Sequence, residues 1–132
     1  MTVTIAIAGK GGTGKTTLAA LLIDYLAENG LGPILAIDAD PSSNLNLVLG
    51  MPLDETVGQI REEALRQTQS GSFPVGFPKK DYLDLRIAQS LVEGEAIDLL
   101  AMGRPEGPGC YCAANYMLRL CIDRLAANYN YV

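Results

Sequence analysis

The chain has 132 residues, of which 48% are hydrophobic and 19% charged, and its formal net charge is −5. This composition is typical of a globular domain, and the acidic balance argues against a general nucleic-acid surface. No apolar run is long enough to cross a membrane, and the first apolar stretch starts too early to leave room for a signal peptide. We therefore expect a cytoplasmic protein without nucleic-acid or membrane partners, whose three cysteines are reduced.

The first forty residues predict a β-α-β unit. Residues 2–8 are apolar and partly β-branched, which indicates a buried strand. A helix is expected over residues 15–28, because Asn29 and Gly30 form a typical C-terminal cap. Residues 33–38 predict the second strand. The loop after the first strand then lies at the sheet edge where open α/β folds bind ligands.

The remaining residues continue the alternation of helices and strands. Ser42 or Ser43 is expected to cap a short helix that ends at Gly50. Further helices are predicted over residues 54–67, 81–92 and 113–127, strands over 96–102 and from 129, and loops over 68–80 and 103–109. The fold class is therefore α/β, with a mostly parallel sheet flanked by helices.

The loop between the first strand and the first helix has the spacing of a phosphate-binding loop. Four residues separate Gly9 from Gly14, and Lys15 and Thr16 follow. Glycines let successive backbone N–H groups point inward, and the helix N-terminus adds a positive dipole end. Lys15 would neutralise the β- and γ-phosphates, and Thr16 would bind Mg²⁺. The predicted ligands are ATP and Mg²⁺, and the nucleotide-binding residues are Gly11, Gly12, Thr13, Gly14, Lys15, Thr16 and Thr17.

Lys10 adds a second, more specific signal to this loop. The run from Lys10 to Thr16 resembles the deviant Walker A loop of the MinD/ParA/nitrogenase iron protein group of P-loop ATPases. The resemblance implies a homodimer in the ATP state, in which Lys10 reaches the nucleotide of the partner subunit. Lys10 and Lys15 are then catalytic, because cations stabilise the charge that develops during phosphoryl transfer.

Two acidic residues, Asp38 and Asp40, end the second strand beside the phosphate loop. Carboxylates at this place can hold a hydrated Mg²⁺ and orient an attacking water. By the same resemblance, the segment is switch I. Asp40 then matches the catalytic acid that positions water, and Asp38 matches a residue in the second shell of the magnesium ion.

The pair Cys110 and Cys112, separated by one tyrosine, is the next candidate site. A disulfide across one residue would be strained, and a cytosolic thiol pair on a Gly/Pro loop more often binds a soft metal. Two sulfurs do not complete a tetrahedral site, but a symmetric dimer would supply four. Two free cysteines on a loop are the alternative. Cys121 lies among apolar residues of a predicted helix and is expected in the core.

The phosphate loop, the Asp38–Asp40 segment and the cysteine pair together resemble the CooC-type maturation ATPases of nickel carbon monoxide dehydrogenase. This resemblance implies that Cys110 and Cys112 bind Ni²⁺ or Zn²⁺ at a dimer interface. It also implies that ATP hydrolysis is coupled to nickel insertion into a client metalloenzyme, carbon monoxide dehydrogenase.

The family continues beyond the equivalent of Val132 with switch II and further strands. We therefore expect residues 1–132 to be the N-terminal part of a single P-loop ATPase domain, truncated to about half. Its sheet should expose an unpaired edge, and the fragment should hydrolyse ATP poorly.

Three other functions share the phosphate loop. A MinD/ParA-like positioning ATPase would need a basic or amphipathic surface segment, which the sequence does not show. A nitrogenase-iron-protein-like ATPase would carry an iron–sulfur cluster between subunits. A ligase of the cobyrinic acid a,c-diamide synthase type would not need the cysteine pair.

Overall fold

A computed structural model describes residues 1–104 and 111–132 of the chain. Helices and strands alternate along these residues. In chain order they are α1 (Lys15–Glu28), β1 (Ile34–Asp38), α2 (Leu45–Leu49), α3 (Val57–Gln69), α4 (Lys79–Ser90), β2 (Ile97–Ala101) and α5 (Cys112–Leu125), followed by a 3-10 turn over Ala126–Asn128.

The sheet is built around two parallel strands. β1 pairs with β2 so that Ile34 lies opposite Ile97 and Asp38 opposite Ala101. On the other side of β1, Tyr131 bridges both Ile34 and Val3 in parallel. The spatial order is therefore residues 3–5, residues 130–132, β1 and β2. The predicted α/β class with a parallel sheet is confirmed.

Two apolar clusters cover the two faces of β1 and β2. Leu35 and Leu100 point to one face and pack in a cluster with Leu118 and Cys121 of α5. Their neighbours Ala36 and Leu99 point to the opposite face, in a cluster with residues of α1 and α2. This alternation is the two-residue period of strands, and it places β1 and β2 in the middle layer of three.

Residues 2–8 differ from the predicted buried strand. Val3 forms an isolated bridge, and the side chains of Val3 and Ile5 remain 46% and 41% exposed. The pairing residues on the neighbouring segment are Asn130 to Val132, and a bond joins Ile5 N–H to the Val132 carbonyl. Among the described residues, no backbone bond joins residues 6–8 to a neighbouring strand.

The predicted helices are present, and α1 has its predicted bounds. The other helices begin at different residues from those predicted. α3 begins at Val57, because Thr56 and Gln59 form a reciprocal capping box. α2 begins at Leu45 with Asn44 at the N-cap, so neither Ser42 nor Ser43 caps it. No helix among the described residues is long and apolar enough to cross a membrane.

Candidate functional site

The phosphate loop has the backbone conformation that its glycines predict. Gly12 and Gly14 have φ angles of 77° and 87°, in the left-handed region that residues with a Cβ avoid. Helix α1 starts directly after Gly14, and the Leu18 N–H donates to the Gly14 carbonyl at the start of the helix. The amides of the first turn precede that bond, so they point towards the loop and can donate to an anion.

Lys15 folds back over the loop. Its Nζ donates to the Lys10 carbonyl at 2.9 Å, and Thr13 Oγ1 donates to the same oxygen at 2.7 Å. One backbone carbonyl therefore holds both the ammonium and the hydroxyl in place. A bound phosphate would compete with this carbonyl for Lys15, because an ionised acceptor forms the stronger hydrogen bond.

The side chain of Lys10 forms no hydrogen bond in this network. It is exposed and forms no ion pair with any described residue. The contribution of Lys10 to the loop within one chain is therefore its carbonyl, which the sequence analysis did not anticipate. Its reach into a partner subunit remains a prediction.

Asp38 is buried and fully engaged by the backbone. Asp38 is 8% exposed. Its Oδ1 accepts a hydrogen bond from Asp40 N–H at 3.0 Å, and its Oδ2 accepts one from Leu45 N–H at 3.0 Å. The carboxylate thus bridges the start of the turn after β1 and the first turn of α2. This anchoring role adds to the predicted place in the second shell of magnesium, which remains a prediction.

Asp40 lies two residues further on and is exposed. Its Oδ1 accepts from Ser42 N–H at 2.8 Å, the arrangement of an Asx turn, and no bond to Oδ2 from a described residue is formed. Asp40 therefore has one carboxylate oxygen without a bond to a described residue, whereas each oxygen of Asp38 accepts one backbone N–H.

A single cavity of about 640 Å³ brings the loop and the two aspartates together. Lys15 and Thr16 line it from one side, and Asp38 and Asp40 line it from the other. The rest of the wall is mostly apolar and comes largely from residues 4–8, α1 and β1, together with Leu45, Ile122, Tyr131 and Val132. The volume lies within the range of small-molecule sites. The donor set fits a magnesium-bound phosphate chain, since it combines an ammonium, free amides, a hydroxyl and a carboxylate.

The cysteines have different environments. Cys121 is 3% exposed, its Sγ donates to the Met117 carbonyl at 2.9 Å, and burial raises the pKa of its thiol to about 11, as expected for a core residue. Cys112 is the exposed first residue of α5 and is disulfide-bonded, which differs from the expected reduced thiol. Cys110 lies outside the described residues. Among the described residues, no group of three or more His, Cys, Asp or Glu side chains could hold a metal ion.

Fold and site together define a nucleotide-binding α/β domain with a phosphate loop. The chain belongs to the CobQ/CobB/MinD/ParA nucleotide-binding domain family, whose model matches residues 4–125. No solved structure matches the chain at a significant level.

Curated relatives support the same assignment. An uncharacterised ATP-binding protein of Methanocaldococcus jannaschii is 49% identical over 97% of this chain and 50% of its own length. The carbon monoxide dehydrogenase accessory protein CooC of Rhodospirillum rubrum is 32% identical over 87% of this chain and 46% of its own length. The chain thus spans about half the length of the curated relatives it matches.

Proposed function

We propose that the protein binds ATP with Mg²⁺, hydrolyses it as a homodimer, and couples hydrolysis to the delivery of a soft metal ion to a client metalloenzyme. The observation that carries this proposal is the shared cavity, in which the phosphate loop faces Asp40. The family supports nucleotide binding, and the Rhodospirillum rubrum relative supports a maturation role. A cytoplasmic location is part of the same proposal.

The binding step uses groups at the phosphate end of the cavity. Lys15 would exchange its bond to the Lys10 carbonyl for the β- and γ-phosphates. The amides of residues 11–17 would surround the phosphate chain, and Thr17 would donate to an α-phosphate oxygen. The Thr16 hydroxyl would hold Mg²⁺, which would supply additional neutralisation of phosphate charge.

The hydrolytic step uses Asp40 and Lys10. Asp40 would orient a water whose oxygen forms the new bond to the γ-phosphorus, while the bond to the β–γ bridging oxygen breaks and ADP leaves. The water proton passes to Asp40 or to the released phosphate. Lys10 of a partner subunit would stabilise the developing charge, so hydrolysis would require the closed dimer.

Calorimetry on the full-length protein tests the binding step. We expect Lys15→Ala to weaken MgATP binding by about 100-fold, because a charged donor to phosphate is removed. Lys80→Ala is the matched control, since Lys80 lies on α4 and outside this cavity. Equal MgATP affinity for Lys15→Ala, Lys80→Ala and the wild type would overturn the proposal.

Metal analysis tests the delivery step. We expect anaerobic, reduced protein to bind Ni²⁺ or Zn²⁺ through Cys110 and Cys112, once the disulfide of Cys112 is opened. The double variant Cys110→Ser/Cys112→Ser should lose this metal. Cys121→Ser is the control, because a hydroxyl can still donate to the Met117 carbonyl. Retention of the metal by the double variant would exclude the cysteine pair as its site.

A further inference from the structure

The turn after β1 is held by a serine that the proposed chemistry does not use. Ser43 has a φ of 45°, in the left-handed region that serine rarely adopts. Its N–H donates to the Asp40 carbonyl at 3.0 Å, and its hydroxyl donates to the same oxygen at 3.2 Å. Ser43 is therefore fixed on the peptide of Asp40 by two bonds.

The Ser43 hydroxyl also makes a contact across the molecule. Its oxygen accepts from Gly103 N–H at 3.1 Å, a bond that joins residues 60 positions apart in the sequence. Gly103 comes two residues after the end of β2. The preceding residue, Met102, donates its N–H to the Asp38 carbonyl at 2.8 Å. The turn after β1 is thus tied to the end of β2 by two neighbouring amides.

Gly103 itself has little freedom to move. It is buried, its φ is 67°, and a Cβ built on it would collide with the Thr56 side chain. The Met102 carbonyl accepts from Gly58 N–H at 2.8 Å in the first turn of α3. Gly103 is therefore held between Ser43 on one side and the N-terminus of α3 on the other.

We propose that Ser43 is a positioning residue for Asp40: its hydroxyl joins the Asp40 peptide to Gly103, so that Asp40 and the end of β2 move together. The proposal rests on the proposed role of Asp40 in hydrolysis. Ser43 holds the backbone that carries the Asp40 carboxylate, and it lies outside the residues that line the cavity. Its loss should therefore slow hydrolysis without weakening nucleotide binding.

Three variants of the full-length protein separate this role from general stability. Ser43→Ala removes the hydroxyl. Ser43→Gly also removes it, but glycine adopts the left-handed φ without strain. Ser42→Ala is the control, because Ser42 binds Asp40 through its backbone N–H and its hydroxyl forms no bond to a described residue. We expect Ser43→Ala and Ser43→Gly to lower kcat for ATP by about 10- to 100-fold, with MgADP affinity within about twofold of the wild type.

Full recovery of kcat in Ser43→Gly would assign the effect to backbone strain and overturn the proposal. A kcat for Ser43→Ala equal to that of Ser42→Ala would overturn it as well. A parallel loss of MgADP affinity would indicate a structural role for Ser43, which also contradicts the proposal.

Amide NMR spectra provide a readout that does not depend on turnover. On addition of the magnesium complex of AMPPNP, we expect the Gly103 amide to shift in the wild type and in Ser42→Ala but not in Ser43→Ala. If the amides of residues 11–14 shift while Gly103 does not, Ser43 is not the link and the proposed function survives. If the loop amides do not shift in any protein, nucleotide binding itself fails, and both proposals fall.

Discussion

The two walls of the cavity are built in different ways. The phosphate loop is held by contacts between near neighbours, since Lys15 and Thr13 reach no further than the Lys10 carbonyl. The turn of residues 38–43 is held by contacts across the molecule, to Gly103 and Met102 after β2. The loop is mostly exposed, whereas Asp38 and Gly103 are buried.

This difference teaches where substitutions should affect binding and where they should affect stability. An exposed loop held by local bonds can change without disturbing the core. The turn of residues 38–43 cannot, because it shares bonds with the residues after β2, and a lost bond of the buried Asp38 or Gly103 leaves a buried polar group without a partner.

The largest effect on stability is expected at Gly103. Gly103→Ala forces a Cβ into the Thr56 side chain at a φ of 67°, and we expect a loss of about 3 kcal/mol from strain and overpacking together. Urea denaturation measures it. The matched control is Gly11→Ala, because a Cβ at Gly11 meets no atom within 4 Å and φ is not in the left-handed region there. Equal losses at the two glycines would contradict the distinction between the two walls.

The next largest loss of stability is expected at Asp38, and Asp40 provides the comparison. Asp38→Ala leaves the amides of Asp40 and Leu45 without their acceptor, so we expect a loss of about 2 kcal/mol in the free energy of unfolding. Asp40→Ala removes an exposed side chain with one local bond and should change stability by less than about 0.5 kcal/mol. The same variant should nevertheless abolish ATP turnover. A larger stability loss in Asp40→Ala than in Asp38→Ala would reverse the assignment of anchor and reactive acid.

A hydrogen bond near the start of β2 tests whether long-range contacts also stabilise the fold away from the cavity. Tyr129 Oη donates to Asp98 Oδ2 at 2.6 Å, and Tyr129→Phe should cost about 1.5 kcal/mol at pH 7. Burial, together with this hydrogen bond, raises the pKa of Tyr129 above its ordinary value of 10.0. The raised pKa contributes stability that is present below pH 10 and lost as the pH rises above it. Chemical denaturation at several pH values should show this decline in the wild type and a smaller one in the variant.

A smaller loss of stability than at Gly103, Asp38 or Tyr129 is expected at Gly12 in the phosphate loop. Gly12→Ala meets open space, so its cost comes from the left-handed φ alone and should be about 1 kcal/mol. Its main consequence should be weaker MgATP binding, because the inward direction of the loop amides depends on this conformation. Unchanged MgATP affinity in calorimetry would show that the loop binds phosphate without its observed geometry.

Much of the architecture could be predicted from residue patterns. Helix α1 has the predicted bounds, since the Asn29–Gly30 cap and the loop glycine Gly14 mark its two ends locally. β1 and β2 fall within the predicted strands for a similar reason, because short apolar runs bounded by turn residues indicate buried strands.

The site was predicted in part. The sequence identified the loop and the two aspartates and predicted different roles for them, but it did not show that backbone amides bind both oxygens of a buried Asp38. Their separation into a buried anchor and an exposed carboxylate depends on where α2 begins, because Leu45 N–H supplies the second bond to Asp38. The sequence predicts Ser42 or Ser43 as a helix cap, and no local pattern indicates the bond between Ser43 and Gly103.

The sequence by itself determined the phosphate loop and the helix that follows it, because glycine conformations and helix caps are properties of neighbouring residues. Only the tertiary structure decided which strands pair, which aspartate is buried and which serine holds the turn. The pairing of β1 with β2 and the bond from Gly103 to Ser43 join groups that lie 60 or more positions apart, which no pattern of neighbouring residues specifies.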